Sequence, residues 1–252
     1  KAMDQNDGRL KGAKAVLLPV VLTAVPVILI AQQPDWGTAF VYICILVGMM
    51  FAARMSWKVM GSVVLAAVIG LPLAYYFLMT PEQQARILGY LNPGSDSLNT
   101  TYHADNALEI ISSGGAFGKG FLAEGTLSQM GYLPESHTDY IFASFVEMAG
   151  FVGGIVLIAV YFALLIRTLY ISVKARDNFG MLICVGVTSM MFAHVFENIG
   201  MIIGIMPVTG IPLPFVSYGG SNMLSSMIAY GFVINVWMRR QQKRKYSLAP
   251  TG

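Results

Sequence analysis

Residues 140–173 read YIFASFVEMAGFVGGIVLIAVYFALLIRTLYISV, thirty-four positions whose only charges are Glu147 and Arg167. As a single helix this block runs about 51 Å at 1.5 Å per residue, against roughly 30 Å for a bilayer's hydrocarbon core. It must tilt, kink or protrude. Gly150, Gly153 and Gly154 are the candidate bend points, because small flexible residues are an identifiable cause of helix kinks. Five further blocks, 14–32, 37–53, 59–79, 180–204 and 221–238, reach the span length of about 17–25 apolar residues. The predicted fold class is all-α: a polytopic transmembrane helix bundle of six spans, with residues 1–252 as a single integral membrane domain.

The composition agrees with this reading. Hydrophobic residues make up 56% of the chain and charged residues 12%, half of the roughly 25% expected of a soluble domain. The net charge of +3 carries no nucleic-acid patch. Cys44 and Cys184 both sit inside apolar runs and read as small buried hydrophobes rather than a disulfide or a metal pair. The chain opens on Lys1 with a polar, non-signal stretch, which predicts an N-terminally truncated sequence.

Charge is distributed by side. Arg9, Lys11 and Lys14 precede the first span, Arg54 and Lys58 follow the second, Arg167, Lys174 and Arg176 follow the fourth, and Arg239-Arg240-Gln241-Gln242-Lys243-Arg244-Lys245 closes the chain. The alternate connections hold few cations. Between Pro81 and Asp139 seven acids face only Arg86 and Lys119. Because basic loops stay cytoplasmic, both ends of the chain are expected inside the cell and the long loop of residues 80–139 outside. A connection of that length is far above the usual range and tends to be functional. Asn92-Pro93-Gly94-Ser95-Asp96 is turn chemistry, and Ala104–Ile111 has the pattern of a short amphipathic helix.

Several side chains in or beside this loop carry chemistry. Thr138 and Asp139 stand where a helix N-cap is expected, ahead of Tyr140-Ile141-Phe142, so spacing alone leaves Asp139 equally a cap or a functional carboxylate. Glu147, eight residues on, lies on a similar helical face about 12 Å deeper, where an ionisable group is either functional or paired with a neighbouring helix. Asp35 reads as a solvated acid or cap. His194 and Glu197, three apart on the fifth span, read as a satisfied buried pair before a proton relay. Lys119 between Gly118 and Gly120 offers a weak phosphate signal, and His103 and His137 are too far apart to read as a metal pair. Finally, PVTGIPLPFVSYGGS at 207–221 cannot form a continuous helix and is too apolar for a free loop. It reads as a buried re-entrant segment feeding a helix start at Ser221, which is either an anion site or a packed turn.

This last run, with Asn198-Ile199-Gly200-Met201 before it, resembles the signature of the SEDS family (shape, elongation, division and sporulation) of RodA/FtsW type. Gln33-Pro34-Asp35, Tyr102-His103, Ser113-Gly114-Gly115 with Gly118-Lys119-Gly120, and Leu133-Pro134-Glu135 with His137-Thr138-Asp139-Tyr140 extend the similarity along the chain. Gly125-Thr126-Leu127-Ser128-Gln129 is similar to a run of the RodA branch and favours elongation over division. The resemblance implies a peptidoglycan glycosyltransferase of the bacterial cell membrane that polymerises lipid II and releases undecaprenyl pyrophosphate, with a class B penicillin-binding protein as partner.

It also implies that Asp139 is catalytic. Lys119, His137, Thr138, Glu147, Ser217, Gly219, Gly220 and Ser221 become the candidate substrate-binding residues. Metal ligands are unknown, and a divalent cation, Mg2+ or Mn2+, is one way to neutralise the leaving group. The chain departs from the family in having six blocks where ten are usual, in lacking the Gln-Pro-Ser-Glu motif, and in placing Asn106-Ala107 and Met148 where other polar residues stand. Two other readings, a lipid-linked precursor flippase and a non-catalytic scaffold for the penicillin-binding protein, use the same sequence features.

Overall fold

A computed structural model describes residues 13–33, 35–77, 79–91, 102–131, 133 and 137–240. The turn at 92–96, the N-terminal Arg9 and Lys11, Pro34, the run 134–136 and the tail from Gln241 onward lie outside the described residues. Eight helices follow in order: α1 (Ala13–Ala31), α2 (Trp36–Ala52), α3 (Trp57–Phe77), α4 (Pro81–Leu91), α5 (Tyr102–Ser113), α6 (Ile141–Val173), α7 (Asn178–Ile202) and α8 (Gly220–Arg239). Among the described residues there is no strand. The six long helices coincide with the six apolar blocks. Two of them, α6 and α7, are long and apolar enough to cross a membrane. The most apolar window of α6 is only 22% buried, and Ile155, Val156, Phe162 and Ile166 are exposed. An apolar face of that extent calls for a non-aqueous neighbour.

α7 is the hub, packing against α2, α5, α6 and α8. The principal core joins Ala107 and Ile110 of α5, Phe142, Ala143 and Val146 of α6, Ile199, Met201 and Ile202 of α7, and Leu213. It therefore sits at the end of the bundle where the 80–139 segment folds back. The described part of that segment holds more helix than its sequence suggests. The helix expected at 104–111 extends over Tyr102–Ser113, and α4 has no counterpart among the sequence expectations. α4 begins with Pro81 after Thr80, whose N–H donates to Gln83 Oε1 at 2.9 Å. The Thr-x-x-Gln spacing is that of a capping box, a signal present in the sequence.

α6 breaks at Gly150, with φ 75° and ψ 179°, a backbone region open essentially to glycine alone. The break frees carbonyls below it and amides above it, and residues 115–120 satisfy both sets. Lys119 N donates to Glu147 O at 3.0 Å and Gly120 N to Met148 O at 3.0 Å, while Phe151 N donates to Gly115 O at 2.9 Å and Val152 N to Ala116 O at 3.1 Å. An irregular segment thus docks into the gap of a broken helix, as buried backbone requires. At the opposite end, Arg167 stacks over Trp237 at 4.9 Å and over Tyr170 at 5.4 Å. Cys44 and Cys184 are free thiols.

Candidate functional site

The site is built where the turn His137–Tyr140 meets the segment from Met206 to Gly219. Ser217 Oγ donates to Thr138 O at 2.6 Å and accepts from Leu213 N at 2.7 Å. Tyr218 N donates to His137 O at 2.9 Å, and Tyr161 Oη donates to Pro214 O at 2.5 Å. From α7, the fully buried Asn198 donates through Nδ2 to both Asp139 O and Ile211 O, each at 2.7 Å. One amide therefore ties the aspartate's own backbone to the proline-rich segment. Phe215 holds φ 66°, an uncommon conformation for a non-glycine residue, within this cross-linked region. The expected buried, non-helical segment is present, and Ile211 and Leu213 anchor it in the core.

Asp139 is half-buried. The N-cap position of α6 falls on Tyr140, which makes no side-chain cap bond, so Asp139, expected at the cap, stands one residue ahead of it. Its Oδ2 faces Gly210: a Cβ built on that glycine would lie 3.3 Å from the oxygen, and Gly210 has φ 73°. Gly210→Ala should therefore crowd the carboxylate and strain the backbone at once. The expected result is a loss of activity of about tenfold or more with a smaller loss of stability, given that a positive φ costs a non-glycine residue roughly 1–2 kcal/mol. Parallel activity and thermal-unfolding assays check this.

Two cavities are lined by residues close to the aspartate in the chain or in space, though not by Asp139 itself. One, of about 640 Å³, is lined by His137, Ile141, Val216, Ser217, Tyr218, Gly219, Gly220 and Met223. It brings together four of the sequence-predicted residues, His137, Ser217, Gly219 and Gly220, and it opens at the N-terminus of α8, whose second residue is Ser221. Thr138 lies between this cavity and Asp139, with its carbonyl held by Ser217. The other cavity, about 80 Å³, lies beyond the 207–209 segment and is walled by Trp36 and Gly37 of α2, Gln83 and Arg86 of α4, and Thr209 among others. The Asp139 carboxylate and the Arg86 guanidinium both act electrostatically, with opposite sign, on the Tyr140 hydroxyl.

Lys119 and Glu147 form a separate cluster. Glu147 is fully buried, and its Oε1 accepts from Lys119 Nζ at 2.6 Å, Leu127 N at 2.7 Å and Ser113 Oγ at 3.3 Å. Oε2 accepts from Ser128 N at 3.1 Å and Ser128 Oγ at 2.7 Å. One carboxylate thus gathers α5, the 118–120 turn and the 126–128 turn. This is the expected pairing of a buried acid, though with the loop and not with a neighbouring long helix. Lys119, expected on a phosphate, is engaged here instead. Removing one partner of a buried pair is strongly destabilising, by about 3–5 kcal/mol. Glu147→Ala should therefore unfold the 113–130 segment, read as new proteolytic cleavage there, whereas Glu147→Gln should lose less.

Asp35 accepts from Thr38 N at 2.9 Å and caps α2. His194 and Glu197 do not satisfy each other: His194 Nδ1 bonds Met190 O at 2.9 Å, while the fully buried Glu197 has Thr209 as its nearest polar neighbour, without a hydrogen bond of good geometry. Among the described residues no group of three or more His, Cys, Asp or Glu side chains is placed to hold a metal ion. Asn198 and Arg86 carry no assigned role in the sequence. A polar amide inside an apolar span is the signal that could have found Asn198.

Among the described residues these features define a helical bundle with apolar outer faces and, at one end, an aspartate whose carbonyl is held by Asn198. The profile of the FtsW/RodA/SpoVE family, described as "Cell cycle protein", matches residues 3–242, and the chain belongs to this family. It is 40% identical over 228 residues to the peptidoglycan glycosyltransferase MrdB of Escherichia coli strain K12, covering 90% of this chain and 61% of that protein. It is 32% identical to the peptidoglycan glycosyltransferase RodA of Treponema pallidum, covering 87% of this chain and 67% of the relative. Among solved structures, a chain described under "Structural coordination of polymerization and crosslinking by a peptidoglycan synthase complex" superposes with TM-score 0.71 at 29% identity, over 90% of this chain and 62% of that one. The rod shape determining protein RodA of Thermus thermophilus gives TM-score 0.58 at 27% identity, over 90% and 57%. The chain spans about three fifths of the length of the first of these relatives.

Proposed function

We propose that the protein is a multi-pass protein of the bacterial cell membrane that polymerises lipid II into glycan strands during cell-wall elongation, with Asp139 as the general base. The observation that carries this reading is the half-buried Asp139, whose carbonyl is held by Asn198 and whose neighbour Thr138 is held by Ser217, with one cavity lined by His137 and Ile141 on either side of it in the chain and another lined by Thr209, next to the Gly210 that faces its Oδ2. A polymerase must hold two lipid-linked substrates against one base. In the transfer, the acceptor's 4-hydroxyl oxygen attacks the donor's anomeric carbon and its proton passes to the Asp139 carboxylate. The bond from that carbon to the pyrophosphate oxygen breaks, its electron pair leaves with undecaprenyl pyrophosphate, and the configuration inverts. A base must lie within hydrogen-bond reach of the proton it takes.

The larger cavity suits the acceptor, with His137, Ser217, Gly219 and Gly220 in its wall and Ser221 in the first turn of α8, where helix amides favour oxyanions. Thr138 sets the position of Asp139. Lys119 and Glu147 act at one remove, holding the 113–128 segment against α6. All six long helices cross the membrane in this reading, residues 80–139 face outward, and both ends of the chain face the cytoplasm, following the distribution of basic residues. The partner is a class B penicillin-binding protein that crosslinks the product. Its support is the likeness to a chain of a solved peptidoglycan synthase complex that couples polymerization and crosslinking.

Asn198→Leu tests the clamp. It removes two hydrogen bonds to carbonyls, leaving the buried Ile211 O unsatisfied at about 1–3 kcal/mol and the part-buried Asp139 O without its clamp. It should both lower the thermal midpoint and cut activity, whereas Asn198→Gln should recover part of each. The reaction itself is tested with the purified full-length protein and lipid II in detergent micelles, where no second compartment exists. Glycan chains are the expected product. Unpolymerised lipid II there, together with lipid II translocation in vesicles, would favour a flippase. Cell-wall synthesis that persists with Asp139 replaced would favour a scaffold.

A further inference from the structure

The end of the bundle remote from Asp139 gathers cations on aromatic rings. Arg167 of α6 lies about 9 Å short of that helix's end at Val173, at 1.5 Å per residue. Its guanidinium stacks over Tyr170 at 5.4 Å and, on α8, over Trp237 at 4.9 Å. The two rings pack at 6.2 Å between centroids. Lys174 Nζ lies over Tyr170 at 5.8 Å, and the Arg240 guanidinium lies on the Trp237 indole. Three cations thus share two rings.

Aromatic faces orient these cations but do not neutralise them. From Arg167 to Arg240 the chain contains two carboxylates, Asp177 and Glu197. Asp177 caps α7, accepting from Gly180 N at 2.8 Å, and Glu197 stands near the far end of the same helix. Among the described residues the one ion pair is Lys119 with Glu147, so none of the three cations has a carboxylate within pairing distance there. Lys174 and Arg240 are the C-caps of α6 and α8, where the helix dipole favours a cation. Arg167, inside α6, has no such support. Like charges held this close repel, and an anion that comes between them relieves the repulsion. The surroundings are apolar: Ile166, Leu169 and Val173 of α6 and Met238 of α8 are exposed. Tyr and Trp are side chains of the membrane–water interface. An anion carrying its own hydrocarbon chains matches both the charge and these faces.

We propose that the cluster of Arg167, Lys174 and Arg240 on Tyr170 and Trp237, between α6 and α8, binds the headgroup of an anionic phospholipid, whose acyl chains lie along the exposed apolar faces of the two helices. Arg167 meets two phosphate oxygens with its planar fork, and the two C-cap cations add charge from the helix ends. The site rests on the membrane-spanning part of the proposed function and is independent of Asp139.

The test is lipid binding by the full-length protein in detergent micelles. Native mass spectrometry compares bound phosphatidylglycerol with phosphatidylcholine of the same chain length. Brominated-chain phosphatidylglycerol should quench Trp237 emission, a signal identified by its loss in Trp237→Phe. The wild type should prefer phosphatidylglycerol by about tenfold or more. Arg167→Gln should lower the preference about fivefold, the contribution of one basic residue at an anionic surface, and Arg167→Lys by less. Arg54→Gln, in the turn between α2 and α3, should leave it unchanged. Equal binding of the two lipids by the wild type would overturn the site. So would equal losses in Arg54→Gln and in a folded Arg167→Gln, which would show a diffuse basic surface, or release of phosphatidylglycerol by inorganic phosphate, which would show a site for a free anion. Asp139→Asn should keep the preference whatever it does to polymerisation, so failure of the site and failure of the glycosyl-transfer reading are distinguishable.

Discussion

Asp139→Asn in the full-length protein is expected to lower lipid II polymerisation by about 100- to 10,000-fold, the range a positioned general base contributes. Asparagine keeps the size of the side chain and cannot take the proton. The fold should survive, because Asn198 holds the aspartate through its backbone oxygen at 2.7 Å, which the substitution does not touch. The thermal midpoint should therefore move little while polymer disappears from the gel. Asp139→Glu is the sharper variant. It restores a carboxylate but must fit the longer side chain opposite Gly210, where a Cβ would already lie 3.3 Å from Oδ2. It should recover only part of the activity.

Gly150→Ala should have one of the largest effects on folding among single methyl groups added at the described glycines. At φ 75° and ψ 179° an L-residue is strained, and the added Cβ would overlap Gly118 N and Phe117 C and come 2.5 Å from Ala116 O. All three are backbone atoms and cannot rotate away. Relief requires the 115–120 segment to withdraw, which breaks the four backbone hydrogen bonds across the gap in α6, worth about 0.5–1.5 kcal/mol each. With backbone strain of about 1–3 kcal/mol, the total reaches the roughly 4–5 kcal/mol above which single substitutions are exceptional. Size-exclusion profiles should show loss of the folded, monodisperse species. Gly231→Ala in α8, where a Cβ meets nothing within 4 Å, should leave the profile intact.

Hydropathy makes the helices legible, because six blocks must be apolar along their length to remain in contact with lipid or core. The glycine at which α6 breaks is readable for a similar reason: the block is too long for one straight span, and Gly150 is among the few residues able to relieve it. What the sequence hides is pairing across distance. Lys119 resembles a phosphate ligand from Gly-Lys-Gly alone, because nothing local reveals that Glu147, 28 residues later, meets it. Asn198 stands in the motif that carries the resemblance, yet its two carbonyl partners come from segments 59 and 13 residues away. Arg86 lies in α4, a helix too short and too polar for hydropathy to reveal, and its neighbour Trp36 comes from α2. A local pattern weighs Asp139 as a cap against a base, and the structure places the N-cap of α6 on Tyr140, the next residue.

The measurement closest to the central claim is lipid II polymerisation by the purified full-length protein in micelles, with the wild type and a folded Asp139→Asn variant compared on one gel. Glycan strands from the wild type and unreacted lipid II from the variant are the predicted result. Strands of similar yield from both would contradict Asp139 as the base.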